Sequence, residues 1–269
     1  MKKIKWWPEF FRIVFKMNIK ATINYFGWNV ITENVINAGV YALEYILIWA
    51  TMSKFTSMNG WNVYEVTFIY SLCLLSYALG NIFIRPFWYF DDLIVKGGLD
   101  DYLIRPVNPL AHLLTREWQF NYLGHFIIGI PVLAYVMGRI DVFWSSSKIF
   151  MLVLTIIGGA FIQAAIVVIP SCTAFWIVRS SSIASMLRGF REVINYPVSI
   201  YPKFIQILFT FILPYAMVNY YPSLTLLNKS TDAIFSIMPY ITLFLGVVLL
   251  VIAYLIWNKG LKSYNSSGS

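Results

Sequence analysis

Five apolar runs, at about residues 28–51, 62–84, 118–138, 148–178 and 235–257, are each long enough to cross a bilayer. A spanning helix needs about 20 apolar residues for a hydrocarbon layer of about 30 Å. Inside that layer every backbone N–H and C=O must be paired within the protein, which leaves helices or closed barrels. Continuous runs of this length select helices. Composition agrees: 12% of residues are charged, against about 25% in soluble domains. A sixth region, 180–222, is apolar only from Phe204 to Val218 and carries Arg188, Arg191 and Glu192 in its first half. The expectation is an all-α integral membrane protein, one transmembrane domain over residues 1–269 with six spans.

Charge orients the spans. With the N-terminus inside, the inner segments 1–20, 85–117, 179–203 and 258–269 hold sixteen Lys and Arg, and the outer segments hold four. The positive-inside rule therefore puts both termini in the cytoplasm. The net charge of +8 is spread between apolar runs instead of forming a patch, so nucleic acid is not an expected partner and the lipid bilayer is. From Pro8, the residues Glu9, Arg12, Lys16 and Lys20 share one helical face and Phe10, Phe11, Ile13, Val14 and Met17 the other, the pattern of a helix lying in the interface over residues 1–20. Cys73 and Cys172 both fall in apolar runs and read as small buried side chains.

One long polar passage interrupts the apolar chain between the second and third spans, within residues 85–117. Phe87–Leu110 reads FWYFDDLIVKGGLDDYLIRPVNPL, with Asp91, Asp92, Lys96, Asp100, Asp101 and Arg105 close together. The Gly97-Gly98 pair predicts a break between two short helices, and Pro106 and Pro109 a stop. Mixed charge on a shaped loop suits complementary contact with another protein.

The first span carries Glu33, Asn37 and Glu44, which fall within about 40° of one another on a helix. Carboxylates at membrane depth turn toward a cavity or a partner. They read either as the wall of a translocation path favouring cationic cargo, or as structural partners of Arg188 and Arg191. His112 and His125 lack neighbours at metal-ligand spacing and read as satisfied structural histidines; no metal site is expected. No catalytic motif or Walker sequence is present. The chain is not expected to be an enzyme, and ATP, if it drives transport, would be bound elsewhere.

The passage Lys96, Gly97, Gly98, Leu99, Asp100, Leu103, Pro106, Val107 resembles the loop after the second span in ABC-2-type permeases. Tyr102–Leu110 and the prolines Pro197, Pro202, Pro214 and Pro222 resemble a branch usually encoded as a permease pair beside one ATPase. The resemblance implies the membrane-spanning subunit of a bacterial plasma-membrane exporter. It would pair with a second permease chain, identical or sister, and with ATP-binding-cassette subunits that carry ATP and Mg; this chain would bind no cofactor. The loop would be a cytoplasmic coupling helix through Asp91, Asp92, Lys96, Gly97, Gly98, Leu99, Asp100, Arg105 and Pro106. The resemblance also implies a fifth span from Ser182 to Ile200 and re-entrant helices from Lys203 to Val218. Arg188, Arg191 and Glu192 would then join Glu33, Asn37 and Glu44 along the path. An ion- or proton-coupled secondary transporter using Glu33 and Glu44 is the rival reading.

Overall fold

The structure is a computed structural model; it describes residues 6–55, 57–116, 118–177, 181–229 and 233–264. The described residues form the helices α1 (Trp6–Met52), α2 (Val63–Ile84), α3 (Phe90–Val95), α4 (Asp100–Leu103), α5 (Pro109–Arg116), α6 (Leu123–Met137), α7 (Ser146–Ser171), α8 (Ser181–Gly189), α9 (Lys203–Ile207), α10 (Tyr220–Leu226) and α11 (Met238–Ser263), linked in places by short 3-10 or π turns. Five helical stretches are long and apolar enough to cross a membrane, or six if one bent pair is counted as a span. They comprise residues 27–52 of α1 and contain α2, α6, α7 and α11, so all five apolar runs of the sequence are found as helices.

Two expectations change. The interfacial helix and the first span are one unbroken helix of 47 residues, about 70 Å long at 1.5 Å per residue. Nothing between Lys20 and Trp28 except Gly27 opposes a helix, and one glycine does not stop it. The side chains of Glu9, Phe10, Phe11 and Val14, on which the two-faced pattern partly depends, lie outside the described residues, as does the tail 265–269. The second change is at residues 181–200. Only α8 and the 3-10 segment Phe190–Asn195 are helical before an extended Tyr196, so this stretch is shorter than the expected span.

Burial ranks the helices. The most apolar stretches of α2 and α7 are 78% and 67% buried, those of α1 and α6 only 17% and 28%. The inner helices are close because small residues let backbones touch, as in membrane helix pairs generally. A Cβ at Gly80 of α2 would lie 2.7 Å from the Ala160 carbonyl oxygen of α7; α7 also closes on the outer helix α11, where a Cβ at Gly246 would lie 2.7 Å from the Gly158 carbonyl oxygen. On the outer side of the bundle, α1 is tied at two heights. Asn34 accepts from the Gly124 N–H of α6 and donates from Nδ2 to the Phe120 carbonyl at 3.0 Å. Further along, Tyr45 shares a hydrogen bond with Ser71 at 2.8 Å and the Trp49 indole donates to Thr67 at 2.9 Å, both on α2.

The loop of residues 85–116 marks one end of the bundle; the opposite end is capped by the start of α2. There Asn62 and Glu65 cap each other reciprocally, at 3.0 and 2.8 Å, satisfying donors the helix leaves open. Lys229 pairs with Glu65 at 2.9 Å and lies over Trp61 at 4.7 Å. The segment 203–226 begins and ends at this same end. The Asn59 amide donates to the Ser199 carbonyl at 2.8 Å, and Lys148 Nζ donates to the Leu226 carbonyl at 3.1 Å. Between those anchors the chain bends by 74°, and Phe209, Tyr215 and Ala216 pack among Cys73, Ile162 and Ile166 in the interior.

Candidate functional site

The loop breaks where its glycine pair predicts, but Pro109 opens α5 instead of ending a helix. α3 ends at Val95 with Lys96 as its C-cap, Gly97 takes a left-handed φ of 66°, and α4 starts at Asp100. A Cβ at Gly98 would meet the Leu93 side chain at 2.8 Å, so the turn folds back onto α3. Beneath it lies an aromatic mount. Phe90 meets Trp257 at 5.3 Å and Phe175 at 5.2 Å, while Ser171 donates to the Phe87 carbonyl at 2.7 Å. The mount fixes the loop to the ends of α7 and α11. Arg116 donates to the Tyr102 hydroxyl at 2.8 Å, and the Tyr102 and His112 rings meet tilted at 4.8 Å. Burial there, with Arg105 and Arg116 close by, holds the His112 pKa below its ordinary value.

The loop's charged residues divide by exposure. Asp92 and Lys96 are exposed and form a 3.7 Å pair one turn apart. Asp101, Arg105 and Pro106 are exposed, and Asp100 is half-buried. Asp91 is buried, at 8% exposure, and Leu99 is fully buried; these two belong to the mount, not to the surface. The sequence reading missed Ile104, which is 81% exposed at the tip beside Arg105.

The polar residues of the spans gather differently from expectation. Glu33 accepts from the Asn121 amide, and Asn37 donates to the Asn121 carbonyl at 3.0 Å. Glu44 accepts from the Tyr70 hydroxyl. Among the described residues neither carboxylate forms an ion pair with Arg191. The Arg191 guanidinium instead lies over the Tyr77 ring at 3.9 Å, in Coulombic reach of the same Tyr41 and Tyr70 that Glu44 approaches. Glu192 is exposed, and the Arg188 side chain lies outside the described residues.

Between α1, α2 and α6 this arrangement leaves a cleft of about 250 Å³ with Glu33, Tyr41, Tyr77, Arg85, Tyr122 and His125 on its walls. His125 is 2% exposed, and its ring sits 4.2 Å from Tyr41 and 5.1 Å from Tyr122. The Tyr122 carbonyl lies near the imidazole, but neither ring nitrogen has hydrogen-bond geometry with any group. His125 is therefore not the satisfied histidine the sequence suggested.

A family model described as ABC-2 family transporter protein matches residues 38–268. The chain belongs to that family. No curated protein and no solved structure matches it at a significant level. As a membrane permease of this family it has its polar loop joined to α7 and α11, and its intramembrane charges on α1 and on the 3-10 turn after α8. Both clusters lie within the matched residues except Glu33 and Asn37, which precede them.

Proposed function

We propose that this permease is half of the translocation path of an ATP-binding-cassette exporter, and that loop 85–116 docks onto a separate ATPase subunit. The exposed Leu103-Ile104-Arg105-Pro106 tip on a rigid aromatic mount carries the reading. A large apolar side chain beside an arginine on an otherwise polar loop suits a protein groove, and the mount would pass displacement of the tip directly to α7 and α11. ATP and Mg would be bound and hydrolysed in the ATPase, and this chain would do no covalent chemistry.

In this reading both termini are cytoplasmic and the loop end faces the cytoplasm of a bacterial cell. Residues 181–200 form a fifth crossing, and 203–226 is re-entrant: it enters from the outer face and returns there, its irregular backbone buried in protein as membrane depth requires. A second permease chain, identical or sister, completes the path. ATP-driven closure of two docked ATPases then moves the pair between two rigid-body arrangements.

The test is co-purification from the native membrane of wild type beside a variant carrying Gly98→Pro, Ile104→Glu and Arg105→Glu. An ATPase that elutes with wild type and is lost from a monodisperse variant supports docking through this tip. No ATPase with either chain sinks it.

A further inference from the structure

We propose that the cleft between α1, α2 and α6 binds a zwitterionic group, an ammonium joined to a phosphate or carboxylate. This rests on the cargo-path reading for its place in transport, but the binding itself is argued from the cleft alone. Its walls carry opposite charges: the Glu33 carboxylate on α1 and the Arg85 guanidinium at the end of α2. Among the described residues the two form no ion pair with each other. Glu33 meets the Asn121 amide, and Arg85 rests on the rings of Trp88 and Tyr89, at 5.6 and 5.1 Å.

The rings of Tyr41, Tyr77 and Tyr122 line the same cleft, and the Arg191 guanidinium lies over the Tyr77 ring. Aromatic faces next to a carboxylate take an ammonium, and a guanidinium takes a phosphate or carboxylate by paired hydrogen bonds. His125 supplies the independent sign of a ligand. It is 2% exposed and lines the cleft, and neither nitrogen meets a partner in full hydrogen-bond geometry, the Tyr122 carbonyl lying close but misaligned, whereas buried polar groups are almost always hydrogen-bonded. A simple cation would leave Arg85 facing its charge, and a simple anion would face Glu33. A zwitterion complements both.

The chemistry has two sources, a phospholipid headgroup or a soluble zwitterion. Equilibrium dialysis of the purified permease in a neutral maltoside detergent, with whatever ATPase co-purifies, separates them. The probes are glycerophosphocholine, lysophosphatidylcholine, tetramethylammonium and glycerol phosphate. Binding of a zwitterionic probe at least tenfold tighter than either single-charge probe is expected. Lysophosphatidylcholine alone would identify the lipid source, and equal binding of glycerophosphocholine the soluble one.

Glu33→Gln and Arg85→Gln should each weaken the zwitterion about tenfold, the effect of losing one charge-assisted contact, while Glu33→Asp and Arg85→Lys retain most of it. No probe binding to folded wild type, or tetramethylammonium binding as tightly as the zwitterions, overturns the proposal. Probe binding without any ATPase in the eluate would overturn the docking reading alone. An intact ATPase complex that binds no probe would overturn the cleft alone.

Discussion

Trp257 of α11 meets Phe87 at the start of the loop edge to face, with ring centroids 5.7 Å apart and planes at 75°. Both side chains are 1% exposed. The last helix and the polar loop therefore share one packed contact, although 170 residues separate them along the chain.

Replacing Trp257 should loosen the loop. Truncating a buried aromatic costs about 3–5 kcal/mol. Trp257→Ala should lower the melting temperature in detergent and raise hydrogen exchange across residues 87–103. Trp257→Phe, which keeps a ring against Phe90 and Phe175, should do so much less. Unchanged exchange in Trp257→Ala would show that the mount does not hold the loop.

The α7–α11 crossing tolerates no side chain at its centre. Gly246→Ala must push Cβ toward the Gly158 carbonyl oxygen and the Phe161 side chain, at 2.7 and 2.8 Å. Overpacking of this kind costs about 1–3 kcal/mol. Gly39→Ala, inside α1 where a Cβ meets nothing within 4 Å, is the control and should leave thermal stability unchanged or slightly raised, since Ala favours a helix over Gly by about 0.5–1 kcal/mol.

Gly97 holds its turn by handedness. At φ 66° a side chain costs about 1–2 kcal/mol, least for asparagine. Gly97→Asn should therefore keep the loop's exchange protection and the proposed co-purification with an ATPase, and Gly97→Val should lose both. Equal behaviour of the two variants would rule out the turn as the reason.

His112 makes the loop sensitive to acid. Its folded pKa lies below the ordinary 6.5 because of burial, with Arg105 and Arg116 nearby. The unfolded loop therefore binds the proton more readily than the folded one. Stability is full above about pH 6.5 and falls as pH drops below it. Limited proteolysis at Arg105 and Arg116 should accelerate between pH 7.5 and 5.5 relative to His112→Gln, after correction for the protease's own pH dependence. Parallel profiles would refute the assignment.

At the far end, Glu65 both caps α2 and pairs with Lys229. Glu65→Ala removes both the reciprocal cap of α2 and the 2.9 Å ion pair. Lys229→Met removes the pair and the 2.6 Å bond to the Gly60 carbonyl. Caps contribute about 0.5–2 kcal/mol, so Glu65→Ala should melt lower than Lys229→Met. The reverse order would mean that the cap is dispensable.

The spans were legible because length and apolarity act locally: a run of apolar residues must be a helix wherever it lies in a bilayer. The loop's break was legible for the same reason, since Gly97-Gly98 needs no distant partner. Residues 181–228 were not. Their short turns are held by contacts remote in sequence: the Asn219 amide donates to the Ile194 carbonyl at 2.7 Å and to the Ile69 carbonyl at 3.3 Å. A helical wheel placed Glu33 and Glu44 on one stripe but could not show that Asn121 and Tyr70 would meet them. Nor could spacing reveal the burial of Asp91 or the empty nitrogens of His125, because both depend on which helices pack against them.

The two fastenings of α1 have a mechanical consequence. Asn34 pins it to α6 near the loop end, and Trp49 with Tyr45 pins it to α2 toward the other. α1 is thus a diagonal brace between two neighbours. If α6 slides against α2, the brace cannot follow either one; it must tilt about both pins, and the cleft beside Glu33 changes width with that tilt.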